Sequence, residues 1–172
     1  MGLSTGEQRK AVLSNELNFN YDTASSYRKK VLPLVEDGKI VAVLTMGYAT
    51  PDGEIQRDPA HPDKPTFLEV YKMQNDGKAP TGKVADAFLA FLHMGVSASK
   101  SLQLPPNTPK EIIDAYIKGV EKAMADPEFL KAAKAQMEYP QYIGKDAKAI
   151  MKLAVGMDPE TKAWLKEWIS TR

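Results

Sequence analysis

Few side chains in this 172-residue chain can do chemistry, and their spacing narrows what that chemistry is. It has two histidines, His61 and His93, and no cysteine. Thiolate nucleophiles, disulfides and cysteine metal sites are therefore excluded. Neither histidine has a second His or a Glu at ligand spacing, so no HExxH-type metal site is expected. A Ser-His-Asp set can be drawn from Ser97, His93 and Asp86, but no G-x-S-x-G elbow marks a nucleophile. The glycine-rich loops that cradle nucleotide phosphates are also absent. These residues predict a non-catalytic protein without a cofactor.

Binding is the chemistry that remains. The turn Tyr21-Asp22-Thr23-Ala24-Ser25-Ser26 follows a strand-like segment and opens a helix. The free N–H groups and positive dipole end of a helix favour anions, and turns at the carboxyl edge of an α/β sheet line ligand clefts. Tyr21, Asp22, Thr23, Ser25 and Ser26 are thus the candidate ligand-binding residues. The competing reading is that Thr23 or Ser25 only caps the helix. Tyr48 either borders a cleft or covers a sheet end.

Several elements must position that turn. Ser4 and Glu7 form a capping-box pattern that opens a helix running to about Asn15. Leu17 to Tyr21 alternates like a half-buried strand, and Tyr27 to about Asp37 reads as a helix kinked at Pro33 and stopped at Gly38. Lys39 to Met46 (KIVAVLTM) is β-branched and continuous, the pattern of a strand buried on both faces. A long loop follows, with a turn at Asp52-Gly53 and prolines at 59, 62 and 65. Thr66 and Glu69 then make a second capping box for a helix from Phe67 to Gln74. A helix over Lys83 to Met94 carries Val84, Ala87, Phe88, Phe91 and Leu92 on one face, and Val96 to Leu104 has a weak strand pattern.

The last third reads as helical. Thr108, Pro109 and Glu111 suggest a third capping box, ahead of a stripe of Ile112, Ile113, Tyr116, Ile117, Val120 and Met124. Asp126-Pro127 and Asp158-Pro159 each read as an N-cap with proline in the first turn. The predicted class is α/β, with a small sheet, many helices and a helical C-terminal third, in a single domain over residues 1–172. Net charge is +1, from 23 basic and 22 acidic residues, which gives no field to attract nucleic acid or an anionic membrane. MGLSTGEQRK is not a signal peptide, and no stretch approaches the length of a membrane span.

Four stretches, in order, carry a resemblance. They are Ser25 to Thr45, the loop RDPAHPDKPTFLE from Arg57 to Glu69, Leu104 to Ala133, and Gln141 to Lys152. Together they resemble the C-terminal half of receptor proteins of tripartite tricarboxylate transporters, bacterial periplasmic proteins that capture small carboxylates. The resemblance implies part of a type II periplasmic-binding-protein fold. Residues 1–45 would end the second lobe, and 46–172 would supply crossover segments and C-terminal helices. It also implies periplasmic location, a small organic carboxylate or acidic amino acid as ligand, and membrane permease subunits as partners. The secretion signal and Pro-Gly-Gly loop of the family's first half have no counterpart here, which suggests an expressed fragment or a truncated relative, either binding weakly alone or completing its core as a homodimer. Asp22 falls where the family's second-lobe turn meets an amino or hydroxyl group of the ligand, an arrangement that would disfavour simple diacids. The reading from another class is a stand-alone α/β interaction or scaffold protein with no ligand of its own.

Overall fold

The computed structural model describes residues 3–133, 137 and 139–171. It is mostly helical, with one two-stranded antiparallel sheet. The chain divides into two compact units, Met1–Val43 and Leu44–Arg172.

In the first unit, α1 (Thr5–Leu13) starts at the expected capping box: the Ser4 amide donates to Glu7 Oε2 at 2.7 Å, and Ser4 Oγ accepts from the Glu7 amide. The next helix begins as α2 (Ala24–Ser26), widens into a π turn over Tyr27–Val31 and ends as α3 (Leu32–Glu36). Pro33 explains the widening. Its ring has no N–H and would collide with the carbonyl one turn back, so the turn before it loosens and the Leu32 amide bonds instead to Tyr27 O. Gly38 then takes φ +69°, as a helix stop requires.

Two expected strands do not form ladders. Leu17 to Tyr21 is irregular, with Leu17, Phe19 and Tyr21 exposed. Lys39 to Met46 is not a doubly buried strand: Val41 is 77% and Val43 58% exposed. A strand exists only with a neighbour to satisfy its backbone, and no other described segment supplies one. Of that run only Thr45 pairs, in an isolated parallel bridge with Thr66.

The second unit is built around the long loop and α5. Strands β1 (Tyr48–Ala49) and β2 (Ile55–Gln56) flank the turn at Gly53. The proline loop is tied down at several points. Arg57 Nε donates to Glu69 Oε1 at 2.9 Å and Nη1 to Pro62 O at 3.0 Å. Asp58, buried, accepts from the Ala60 amide and from the Tyr139 hydroxyl. Thr66 is fully buried, and it caps α4 (Phe67–Gln74) in the expected reciprocal box with Glu69.

Helix α5 (Lys83–Leu92) continues into a second π turn, His93–Ser97, and Val96 to Leu104 forms no strand. Its buried face matches the one read from the sequence at Ala87 and Leu92 but not at Val84 and Phe91. Ala85, Ala87, Ala90 and Leu92 are buried, whereas Val84 and Phe91 lie out. Small side chains let α5 approach α8 (Lys145–Val155) and α9 (Pro159–Ser170) closely. Phe88 does pack inward, its ring 4.8 Å from that of Phe67.

Asp126 and Asp158 accept from the amides that open α7 (Pro127–Ala133) and α9, as expected. The Thr108 box does not form. Thr108 Oγ1 donates back to Pro105 O, so α6 (Lys110–Met124) begins one residue later without a side-chain cap. None of the α6 stripe residues is fully buried. Among the described residues no helix is long and apolar enough to cross a membrane.

Candidate functional site

The five residues proposed from the sequence lie in one short turn, and the structure divides them into two groups. Asp22 points inward, its side chain 3% exposed. Its Oδ1 meets Arg9 Nη1 at 2.5 Å and the Ser26 hydroxyl at 2.8 Å, and its Oδ2 meets Asn20 Nδ2 at 2.6 Å. Ser26 Oγ also accepts from Arg9 Nη1 at 3.1 Å. Thr23 is the N-cap of α2, its hydroxyl accepting from the Ser26 amide. Tyr21 is 48% exposed, and Ser25 is half-buried without a hydrogen bond among the described residues.

Asp22 is therefore not a bare charge awaiting an ammonium or hydroxyl group. Three donors compensate it, and the repulsion expected against a carboxylate ligand is largely cancelled. What the turn offers instead is Arg9. Of its five N–H donors, those on Nη1 hold Asp22 and Ser26, and those on Nε and Nη2 have no hydrogen-bond partner among the described residues. The guanidinium is fixed by a buried carboxylate while its side chain keeps 18% exposure. A planar cation oriented in this way can donate two parallel hydrogen bonds to a carboxylate.

Sequence reasoning missed Arg9 because its partner lies on another element. The only local signal was a charged residue on the α1 face. It also left Asn20 aside, whose Oδ1 is buried with no partner among the described residues.

The set Ser97, His93 and Asp86 does not assemble as a hydrogen-bonded triad. Ser97 Oγ accepts from the Ala49 amide at 2.8 Å, and no hydrogen bond joins His93 to Ser97 or to Asp86. His93 is buried, and burial lowers its pKa from the ordinary imidazole value. His61 lies in the tied proline loop, its amide bonded to Asp58 O. Tyr48, the first residue of β1, packs obliquely on Tyr139 with ring centroids 5.7 Å apart. No group of three or more His, Asp or Glu side chains suited to a metal occurs among the described residues.

Comparison with protein-family models, curated proteins and solved structures finds no match to this chain. The family resemblance accordingly stands on its four sequence stretches alone.

Proposed function

We propose that this chain is a solute-binding receptor component of the tripartite tricarboxylate-transporter type, taking a small organic carboxylate or an acidic amino acid outside the cytoplasmic membrane for delivery to permease subunits. The observation that carries this reading is the oriented Arg9 guanidinium, braced by Asp22 and Ser26 with donors to spare. Two features support the type II binding-protein architecture. One is the parallel bridge between Thr45 and Thr66. The other is the pair of strand-like segments, Leu17 to Tyr21 and Lys39 to Val43, whose apolar side chains lie open as those of a larger sheet would without its neighbours.

Titration calorimetry with succinate, citrate and glutamate tests the proposal. Binding of at least one of the three is expected, with Arg9→Lys weakening it roughly tenfold. Lysine keeps a cation beside Asp22 but loses the planar fork. No heat and no thermal stabilisation from any of the three would overturn the reading. A second reading, a non-catalytic interaction protein, is favoured by α6, where Ile112 and Tyr116 are exposed within an apolar stripe. It expects no response to these ligands.

A further inference from the structure

The stretch IVAVL, residues 40–44, follows α3 with its hydrogen-bonding capacity unspent. Its start is held, because Leu34 O accepts from the Lys39 amide at 2.8 Å and from the Ile40 amide at 3.3 Å. From there exposure alternates: Ile40 and Ala42 are half-buried, whereas Val41 is 77% and Val43 58% exposed. Side chains that alternate in this way belong to an extended backbone. Yet among the described residues the N–H and C=O groups of Val41, Ala42 and Val43 make no hydrogen bond. The devices that blunt an open edge are missing too. From Ile40 to Thr50 the sequence has no charged residue and no proline, and Lys39, just outside, is engaged with Asp37 at 2.9 Å.

The order of these residues says what pairs there. Read from either end, IVAVL presents the same series about Ala42: a four-carbon side chain, a valine, the alanine. An isologous interface needs such self-complementarity, because one patch serves both copies; a strand from a foreign protein needs none. A two-fold axis through Ala42 sets Val41 opposite the partner's Val43, and Ile40 opposite the partner's Leu44. It keeps the two Lys39 side chains apart, each facing an uncharged Thr45 rather than a like charge. Ala42 then exchanges both backbone hydrogen bonds with the partner's Ala42. The valines fall in the flanking non-hydrogen-bonded pairs, where cross-strand side chains lie closest.

We propose that this chain forms a two-fold dimer by antiparallel pairing of residues 40–44 about Ala42, with Val41 packed against the partner's Val43 across the seam. A two-stranded ribbon is marginal by itself, so the association is weak and concentration-dependent. The dimer uses none of the groups around Arg9, so it and the anion-binding reading can each fail without the other.

Sedimentation velocity on the whole chain, from about 1 to 500 µM, reads the association. Passage from monomer to dimer across that range is expected. Ala42→Pro removes the central N–H donor and is expected to weaken the dimer by about tenfold or more. The chain has no cysteine, so introduced ones report the register. Opposed Cα atoms in a non-hydrogen-bonded pair lie about 4.5 Å apart, within disulfide reach, whereas diagonal ones lie about 7–8 Å apart, beyond it. Under mild oxidation, a mixture of Val41→Cys and Val43→Cys chains is therefore expected to form the mixed disulfide about fivefold or more faster than either variant cross-links with itself. A chain that stays monomeric to about 500 µM overturns the proposal and leaves the edge to a strand of another protein. So does an Ala42→Pro chain that associates as the unaltered one does, or a mixture that cross-links no faster than its components. The cross-linking arm uses two exposed positions and decides the matter even if the proline variant does not fold.

Discussion

Asp22 in Met1–Val43 and His93 in Leu44–Arg172 are both withdrawn from solvent, yet their surroundings treat them oppositely. Asp22 meets a guanidinium, an amide and a hydroxyl, whereas His93 Nδ1 meets nothing. The frames around them differ in the other direction. The second unit ties its loop through Gly47, Asp58, Thr66 and Glu69, whereas the first leaves its strand-like segments without a ladder. A completed polar network fixes geometry and becomes a platform for what it orients, here Arg9. An uncompleted group in a firm frame carries an unrecovered desolvation cost.

That contrast is broken most severely at Gly47. Its φ is +72°, and an added Cβ would lie 2.4 Å from Gln56 O and 2.9 Å from both Ile55 Cγ2 and Thr66 Cγ2. Strain and backbone collision act together there, so Gly47→Ala is expected to cost about 3 kcal/mol or more. Urea unfolding followed by the fluorescence of Trp164 and Trp168 measures it. A shift under about 1 kcal/mol would mean that the frame is softer than its contacts imply.

The corresponding break in the first unit is Arg9→Met. It leaves the Asp22 carboxylate buried with only Asn20 and Ser26 as donors. Removing one partner of a buried pair costs about 3 kcal/mol when solvent is fully excluded, and about 2 kcal/mol is expected here because Arg9 keeps some exposure. Amide hydrogen exchange across Leu32–Glu36 reports the loss. Unchanged protection would show that the pair does not brace the turn.

Glu69 gives a gentler and pH-dependent test of the frame. Its hydrogen bonds from Arg57, then from the Thr66 amide, hold its pKa down at about 2 against an ordinary value of 4.5. A carboxyl depressed on folding contributes fully above its unfolded pKa and loses that contribution as pH falls through the folded one. Stability from this pair is therefore complete above pH 4.5 and declines toward pH 2. Both side chains are more than a third exposed, so solvent screening keeps the contribution small. Glu69→Gln keeps a capping acceptor but not the charge. It is expected to flatten the acid limb of the stability curve, and an unaltered limb would place the acid sensitivity elsewhere.

These residues also show what a sequence reveals. The boxes Ser4–Glu7 and Thr66–Glu69, the caps at Asp126 and Asp158 and the turn at Gly53 were legible because each is settled within a few residues by local hydrogen bonds. The helical last third followed from the same signals. The thirteen-residue separation of Arg9 from Asp22 hid the ion pair. The alanine face of α5 was hidden because apolar periodicity favours large residues, while close helix approach selects small ones. Of the candidate site, the turn and its Thr23 cap were readable; the inward aim of Asp22 and the orphaned nitrogen of His93 depend on tertiary packing.

The run KIVAVLTM marks the sharpest divergence, and the smallest expected effect bears on it. Composition says strand, but pairing decides whether a strand forms, and Val41 and Val43 instead stand in solvent. At dilutions that leave the chain monomeric, Val41→Lys and Val43→Lys should each change the unfolding free energy by less than about 0.5 kcal/mol, as exposed substitutions do. A loss above about 1.5 kcal/mol from either under those conditions would show that the segment is covered within one chain. If the loss instead grows with protein concentration, the cover is a second copy, and the open face of Met1–Val43 is an interface rather than a free surface.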